Sequence, residues 1–226
     1  MHSMGQAMAG IADGSVVLLG GFGPSGSPIQ LMQALLETDA KDLTVVSNNA
    51  GGGPIGLSQL IEAGKVRKLI CSFARSLDPK NPSAAAFEKR YRAGEIELEL
   101  VPQGTLAERL RAAGAGMGPF FTPTAFGTRL AEGKETRVIN GRGYVLEEPL
   151  HADVAFVKAH LADPLGNLTY RYAGRNFAPV MCMAAKLAIA QVDEVVAVGD
   201  IAPEQVMTPG IFVQRVIECE YDPVIP

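Results

Sequence analysis

An open, mostly parallel α/β sheet with helices on both faces is the architecture this sequence predicts. Three observations carry that expectation. Short apolar runs alternate with stretches of helical spacing in the order strand, loop, helix. Glycines cluster where the apolar runs end, as turn devices that permit positive φ and close backbone approach. The 226 residues suit one large α/β domain and are too few for two well-buried ones.

Val16–Leu19 reads as a buried strand bounded by Gly14 and Gly20. The turn Gly20–Gly26 follows, with Ser27 as an expected N-cap and Pro28 at the first helical position. Ile29, Met32, Leu35 and Leu36 then continue at helical spacing. The theme returns with the strand Leu43–Val46, the loop Ser47–Pro54 and a helix Ile55–Ala63 stopped by Gly64. A third strand, Val66–Ser72, leads to a helix near Ala84–Ala93, with Pro82 as start signal and Gly94 as stop. Ile96, Leu98 and Leu100 alternate with Glu95, Glu97 and Glu99, which predicts a strand with one wet face near a sheet edge. Thr105 and Glu108 have capping-box spacing, and that helix is expected to run to Gly114.

From Gly114 to about Pro149 the pattern loosens, except for an antiparallel pair expected across Arg137–Leu146 around Asn140-Gly141. Regularity resumes with a strand at Val154–Val157, a helix across Ala178–Ala190, and strands at Val195–Val198 and Phe212–Ile217. No internal repeat and no linker interrupts residues 1–226, so a single domain with an irregular middle is expected.

Composition excludes several function classes. Hydrophobic residues at 47% and charged residues at 19% rule out a disordered or fibrous chain. The 25 glycines and 15 prolines fall short of low complexity. A net charge of −4 without a basic stripe argues against nucleic acid. No apolar run approaches the roughly 18–20 residues of a membrane span, and Met1–Ala12 lacks the pattern of a signal peptide. Cys71, Cys182 and Cys219 are few and far apart, which fits a reducing cytoplasm.

Ligands in open α/β sheets bind where glycine loops leave the C-terminal strand ends, beside helix N-termini that offer N–H groups to anions. Gly20, Gly21, Phe22, Gly23, Pro24, Ser25 and Gly26 are therefore the leading ligand-binding candidates, with a purely structural turn as the alternative. The loop is neither a Walker loop nor a strict Gly-x-Gly-x-x-Gly.

A longer pattern is more specific. Asp13-Gly14, three apolar residues, Gly20-Gly21-Phe22, Gly26 and Pro28 together resemble the signature of the family I CoA-transferases, in the chain of the pair called A or α. Ser47–Gly51, Pro102–Arg109, Phe121–Thr124, Asp153–Ala159 and Arg175–Phe177 resemble that family's blocks in family order, over nearly the whole chain. Glu132–Arg137 and Thr208–Val216 look most like the branch acting between succinyl-CoA and β-ketoadipate in aromatic catabolism.

The resemblance implies a fold shared with phosphosugar isomerases and a ping-pong reaction. A glutamate carboxylate attacks the acyl-CoA thioester, CoA thiolate reopens the acyl-glutamyl anhydride, and the enzyme–CoA thioester passes CoA to the acceptor acid. In the family that glutamate belongs to the B subunit, within a Glu-Asn-Gly motif. This chain contains no Glu-Asn-Gly, and its Glu132-Gly133 pair lacks the asparagine, so no catalytic nucleophile is expected here. By resemblance, Gly20–Gly26 is the CoA-binding loop, while Asn48, Asn49 and Gln103 line the acyl site, where neutral amides suit a carboxylate or a developing oxyanion. The plainer readings are a turn at Asn48-Asn49 and a polar residue before a helix cap at Gln103.

The expected partner is the B subunit of a CoA-transferase, in a heterodimer or heterotetramer. The ligands are acyl-CoA and carboxylate substrates, with coenzyme A thioester as substrate rather than permanent cofactor. Acetoacetate is the close competitor of 3-oxoadipate; remoter readings are a phosphosugar isomerase or sensor, or a CoA-binding regulatory protein. His2, His151 and His160 have no zinc-site spacing, and no metal is expected. Cys71 and Cys182 read as buried thiols, and Met181 and Met183 as core. Arg171 and Arg175 are the best nearby cations for a carboxylate or phosphate, with a solvated or interface role equally open.

Overall fold

The computed structural model describes residues 3–51, 54–74 and 84–219, with Pro82 outside that set. It begins with a short helix, α1 (Met4–Met8), capped by Ser3, whose Oγ accepts from Gln6 N while Gln6 Oε1 accepts from Ser3 N. The repeating units follow as β1 (Val16–Leu19), α2 (Ile29–Leu36), β2 (Leu43–Asn49), α3 (Leu57–Glu62), β3 (Val66–Phe73), α4 (Ala84–Arg92), β4 (Glu97–Leu100) and α5 (Gln103–Gly114). Three short strands come next: β5 (Phe120–Thr122), β6 (Thr136–Ile139) and β7 (Arg142–Glu147). The chain then continues through β8 (Ala152–Ala162), α6 (Ala178–Ala184), β9 (Ala185–Val195) and β10 (Arg215–Glu218).

Seven strands form one sheet in the order β10-β9-β8-β1-β2-β3-β4, and every neighbouring pair is parallel. One face buries Val17, Leu19, Val45 and Leu69 against α2, α3 and α4; the other buries Leu18, Val46 and Ile70 against α5 and α6. Helices on both faces force the strands to be apolar on both faces, as the runs in β1 and β2 are. β4, the strand of alternating Glu and Leu, is the sheet edge.

The chain builds outward from β1 through β2, β3 and β4, then returns to lay β8 along the other side of β1. The strand order therefore reverses between β1 and β8, and their C-terminal ends open the crevice where such sheets take ligands.

The loose middle folds as a second sheet, β5-β7-β6, antiparallel throughout. Its β6–β7 hairpin turns at Asn140 and Gly141, both at positive φ (50° and 76°), as a two-residue hairpin requires. A run of charges ties this sheet to the edge of the large one. Lys68 Nζ and Arg109 Nη1 reach Glu99 at 2.6 and 2.8 Å, while Lys134 Nζ reaches the buried Glu147 at 2.6 Å. Arg109 also donates to the Glu148 carbonyl at 2.8 Å, so α5 is held from both sides.

Several expected boundaries move. Pro28, not Ser27, is the N-cap of α2, and Ser27 Oγ donates back to the Gly23 carbonyl at 3.1 Å. α5 starts at Gln103 with Pro102 as N-cap, so Thr105 is buried in the first turn and makes no cap hydrogen bond. The expected helix Ala178–Ala190 ends at Ala184, and Ala185–Val195 is β9. Strand structure at Val195–Val198 is confined to Val195, and Gly210–Phe212 is a 3₁₀ turn ahead of β10. β2 extends through Asn49, so Ser47, Asn48 and Asn49 end a strand rather than begin a loop.

Candidate functional site

Gly20 leaves β1 at the switch point. Its N–H donates to the Phe156 carbonyl of β8 at 2.9 Å, and a Cβ there would lie 3.2 Å from that oxygen. Beyond it the loop folds on itself: Phe22 N–H donates to Ser25 O at 3.0 Å and Ser25 N–H to Phe22 O at 3.3 Å, with Gly23 at φ 60°. Gly20, Gly21 and Gly26 are buried, whereas Gly23, Pro24 and the Phe22 ring (51% exposed) form an open tip.

This arrangement redistributes the expected anion donors. The amides of Gly20, Phe22, Ser25 and Ser27 are engaged by backbone carbonyls, and that of Gly21 by the Asn176 side chain at 3.1 Å. The start of α2 is engaged too: Ile29 N–H donates to Ser27 O, and Gln30 N–H to Gln191 Oε1 of β9 at 3.1 Å. Among the described residues, the Gly23 and Gly26 amides are the backbone N–H groups of the loop that no carbonyl or side chain engages.

Leu19 registers with Ser47, so Gly20 and Asn48 leave neighbouring strands side by side. Successive strand residues face opposite sides of a sheet, and the two asparagines part accordingly. Asn48 is buried (3% exposed) and its Oδ1 accepts from Gln103 Nε2 at 2.6 Å. Asn49 Oδ1 accepts from Gly51 N–H at 3.0 Å, an Asx-type turn holding the chain end of β2. The fold therefore joins Asn48 to Gln103, while the Oδ1 of Asn49 holds the turn. Gln103 reaches Asn48 because β4 ends beside β3 and α5 starts at once over the same sheet face.

With its acceptor occupied, Asn48 offers a ligand its Nδ2 donors, and Gln103 keeps its Oε1 and one proton. That is a neutral, preorganised amide pair. Burial pushes the Cys71 and Cys182 thiols up to about 12, so neither supplies a thiolate at neutral pH. Glu132 is exposed ahead of β6 in the small sheet, away from the switch point. Arg171 Nε donates to His160 Nε2 at 3.1 Å, and His160 Nδ1 lies 3.1 Å from Asp193, so this arginine is engaged locally. His151 is exposed, and no cluster of metal-ligating side chains occurs among the described residues. No described helix is long and apolar enough to cross a membrane.

Residue spacing pointed to no role for Asn176, which stands 155 positions from Gly21. Its signal was the block Arg175-Asn176-Phe177, which names a place in the chain and not a contact.

A parallel sheet with a glycine loop at its switch point, and an amide pair one strand away, is the class of open α/β architecture that takes small ligands over the C-terminal strand ends. Residues 1–219 match the Coenzyme A transferase family, and the chain belongs to that family. It is 60% identical over 216 residues to the A subunit of 3-oxoadipate CoA-transferase from Pseudomonas putida, covering 96% of this chain and 91% of that one. It is 49% identical over 212 residues to the A subunit of succinyl-CoA:3-ketoacid coenzyme A transferase from Xanthomonas campestris, covering 93% and 85%. In fold it is similar to glutaconate coenzyme A-transferase from Acidaminococcus fermentans, with a TM-score of 0.83 at 20% identity over 97% of this chain and 75% of that one.

Proposed function

We propose that this chain is the A subunit of a heteromeric CoA-transferase that moves CoA from succinyl-CoA to 3-oxoadipate. The observation that carries the reading is the 60% identity to the A subunit of a 3-oxoadipate CoA-transferase along nearly the whole of both chains. The loop Gly20–Gly26 receives the CoA thioester, with Gly23 and Gly26 N–H facing its oxygens. Asn48 Nδ2, held by Gln103, donates to the acyl oxygen as negative charge develops on it. Fixed dipoles of this kind favour the transition state because they need no reorganisation when the charge appears.

The nucleophile comes from a B subunit, since this sequence has no Glu-Asn-Gly. Its glutamate carboxylate adds to the succinyl thioester carbonyl and expels CoA thiolate, leaving a succinyl-glutamyl anhydride. The thiolate attacks the glutamyl carbonyl, releasing succinate and forming the enzyme thioester. The carboxylate of 3-oxoadipate then repeats the exchange in reverse. The unit acting in this way is residues 1–226 as one domain, at work in the cytoplasm without a permanent cofactor.

The test is CoA transfer from succinyl-CoA to 3-oxoadipate and, separately, to acetoacetate, with the chain alone and mixed with its B subunit. Transfer only in the mixture, and faster to 3-oxoadipate, is the expected result. Preference for acetoacetate would keep the family and overturn the substrate. Equal transfer by this chain alone would overturn the division of labour between the two chains.

A further inference from the structure

The glycine loop is tied to the rest of the fold at few points. Within residues 20–27 it bonds to itself, and Gly20 bonds to β8 through backbone. Among the described residues, the only side chain outside the loop that hydrogen-bonds residues 21–26 is Asn176. Its Oδ1 accepts from Gly21 N–H at 3.1 Å and from Phe177 N–H at 2.7 Å. Its Nδ2 lies within 3.1, 3.0 and 3.3 Å of the Ser25, Gly174 and Ala173 carbonyls. One amide therefore grips both ends of the loop's tip and fastens them to the turn Tyr172–Arg175.

This grip is held at a backbone cost. Asn176 has φ 22° and ψ −117°, a region that disfavours any side chain. The turn before it buries none of its residues, and Tyr172 within it is 97% exposed at φ 46°. Strain kept in a turn that builds no core needs another reason, and the bonds Asn176 makes run to the glycine loop. The two backbones also meet directly: a Cβ on Gly26 would lie 2.3 Å from Gly174 O and 2.7 Å from Asn176 Nδ2. Gly26 must be glycine for the clamp to close.

We infer that Asn176 is a positioning residue for the CoA thioester, acting through the shape it imposes on Gly21–Ser25. The inference rests on the reading of that loop as the CoA site. With Oδ1 on Gly21 and Nδ2 on Ser25, the clamp fixes where the open Gly23 amide points. A donor that swings free binds its oxygen only after paying for its own ordering.

The test uses Asn176→Gly in the complex with the B subunit. Glycine suits the strained φ and ψ, so the fold is kept while the clamp is lost. Two readouts are taken: hydrogen exchange of the backbone amides of residues 16–28, and separate KM values for succinyl-CoA and for the free acid. The expected result is faster exchange in the loop and a KM for succinyl-CoA raised about tenfold, with the KM for the acid unchanged within about twofold. Asn176→Asp keeps the acceptor for Gly21 but sets a carboxylate against three carbonyls, and is expected to behave like the glycine variant. Unchanged loop exchange overturns the clamp wherever CoA binds. Faster exchange with an unmoved KM overturns the positioning role. In that case Gly23→Asp, which sets a negative charge at the loop tip, separates the causes. If it too leaves the KM for succinyl-CoA unmoved, the CoA-loop reading has failed; if it raises that KM, only the part given to Asn176 has.

Discussion

Gln103 Nε2 donates to Asn48 Oδ1 across 2.6 Å, joining the first turn of α5 to the end of β2 over a separation of 55 residues. The bond does more than fill two valences. It uses the acceptor of Asn48 and so orients the remaining face of that amide, its Nδ2, as a donor.

If Asn48 donates to the developing oxyanion, Asn48→Ala lowers kcat about 10²–10³-fold in the complex with the B subunit. Gln103→Ala acts through Asn48 and costs less, about tenfold. The double variant is then no slower than Asn48→Ala alone, because residues acting as a unit are not additive. Steady-state transfer rates for the three variants check this, and a multiplicative double variant would show that the two amides work separately.

The glycines of the loop differ in what a methyl group would meet. At Gly26, with φ 70°, a Cβ falls on Gly174 O and Asn176 Nδ2, so Gly26→Ala destabilises by about 2–4 kcal/mol. At Gly23, with φ 60°, nothing lies within 4 Å, and Gly23→Ala costs only the left-handed backbone, about 1 kcal/mol. Urea denaturation of both variants measures the difference.

The three cysteines should separate by reactivity. Cys71 and Cys182 are 0% and 1% exposed, and burial pushes both thiols up to about 12. Cys219 is half-buried, and its thiol is raised by burial and by the nearby Asp193 and Glu218 carboxylates. A thiol reagent at pH 8 should therefore label Cys219 first, slowly for a free thiol, and reach the other two only on unfolding. Peptide mapping of the labelled sites is the measurement.

Glu99 gives a pH dependence of known sign. Burial pushes its carboxyl up, but hydrogen bonds from Lys68 and Arg109 outweigh that and hold it below the ordinary 4.5. Its stabilising contribution is complete above that ordinary value and is lost as the pH falls through the lower, folded value. Wild type should therefore lose its advantage over Glu99→Gln between about pH 4.5 and more acid conditions, with no change in the difference from pH 6 to 8. Urea midpoints across that range test it.

Legibility in the sequence tracked how local each cause is. The alternation of Glu and Leu through Glu95–Leu100 was enough to read an edge strand, but not its two faces, since Leu100 is 41% exposed and Glu99 is partly buried between Lys68 and Arg109. The run Met183–Ala190, with four alanines, reads as helix by propensity, yet Ala185 onward pairs with β8 on one side and β10 on the other. Burial between two strands outweighed a preference of a few tenths of a kcal/mol per residue. The strand Phe120–Thr122 is three residues long and exists only because β7 is there to pair with it.

What the sequence by itself determined is the succession of strand, glycine loop and helix, the place of the loop along the chain, and the lack of a Glu-Asn-Gly nucleophile. Those follow from period, turn chemistry and residue type, all local properties. Tertiary structure decided that β8 lies against β1, which makes the end of β1 a switch point. It also decided that Asn48 meets Gln103 while Asn49 turns the chain, and that Asn176 closes on the loop. The Asn48–Gln103 and Gly21–Asn176 contacts join residues 55 and 155 positions apart, and no local preference encodes them, whereas the Asn49 turn closes over two residues. The two distant contacts form because the strand order of the sheet sets β8 beside β1 and starts α5 over the end of β2, which brings these distant segments together.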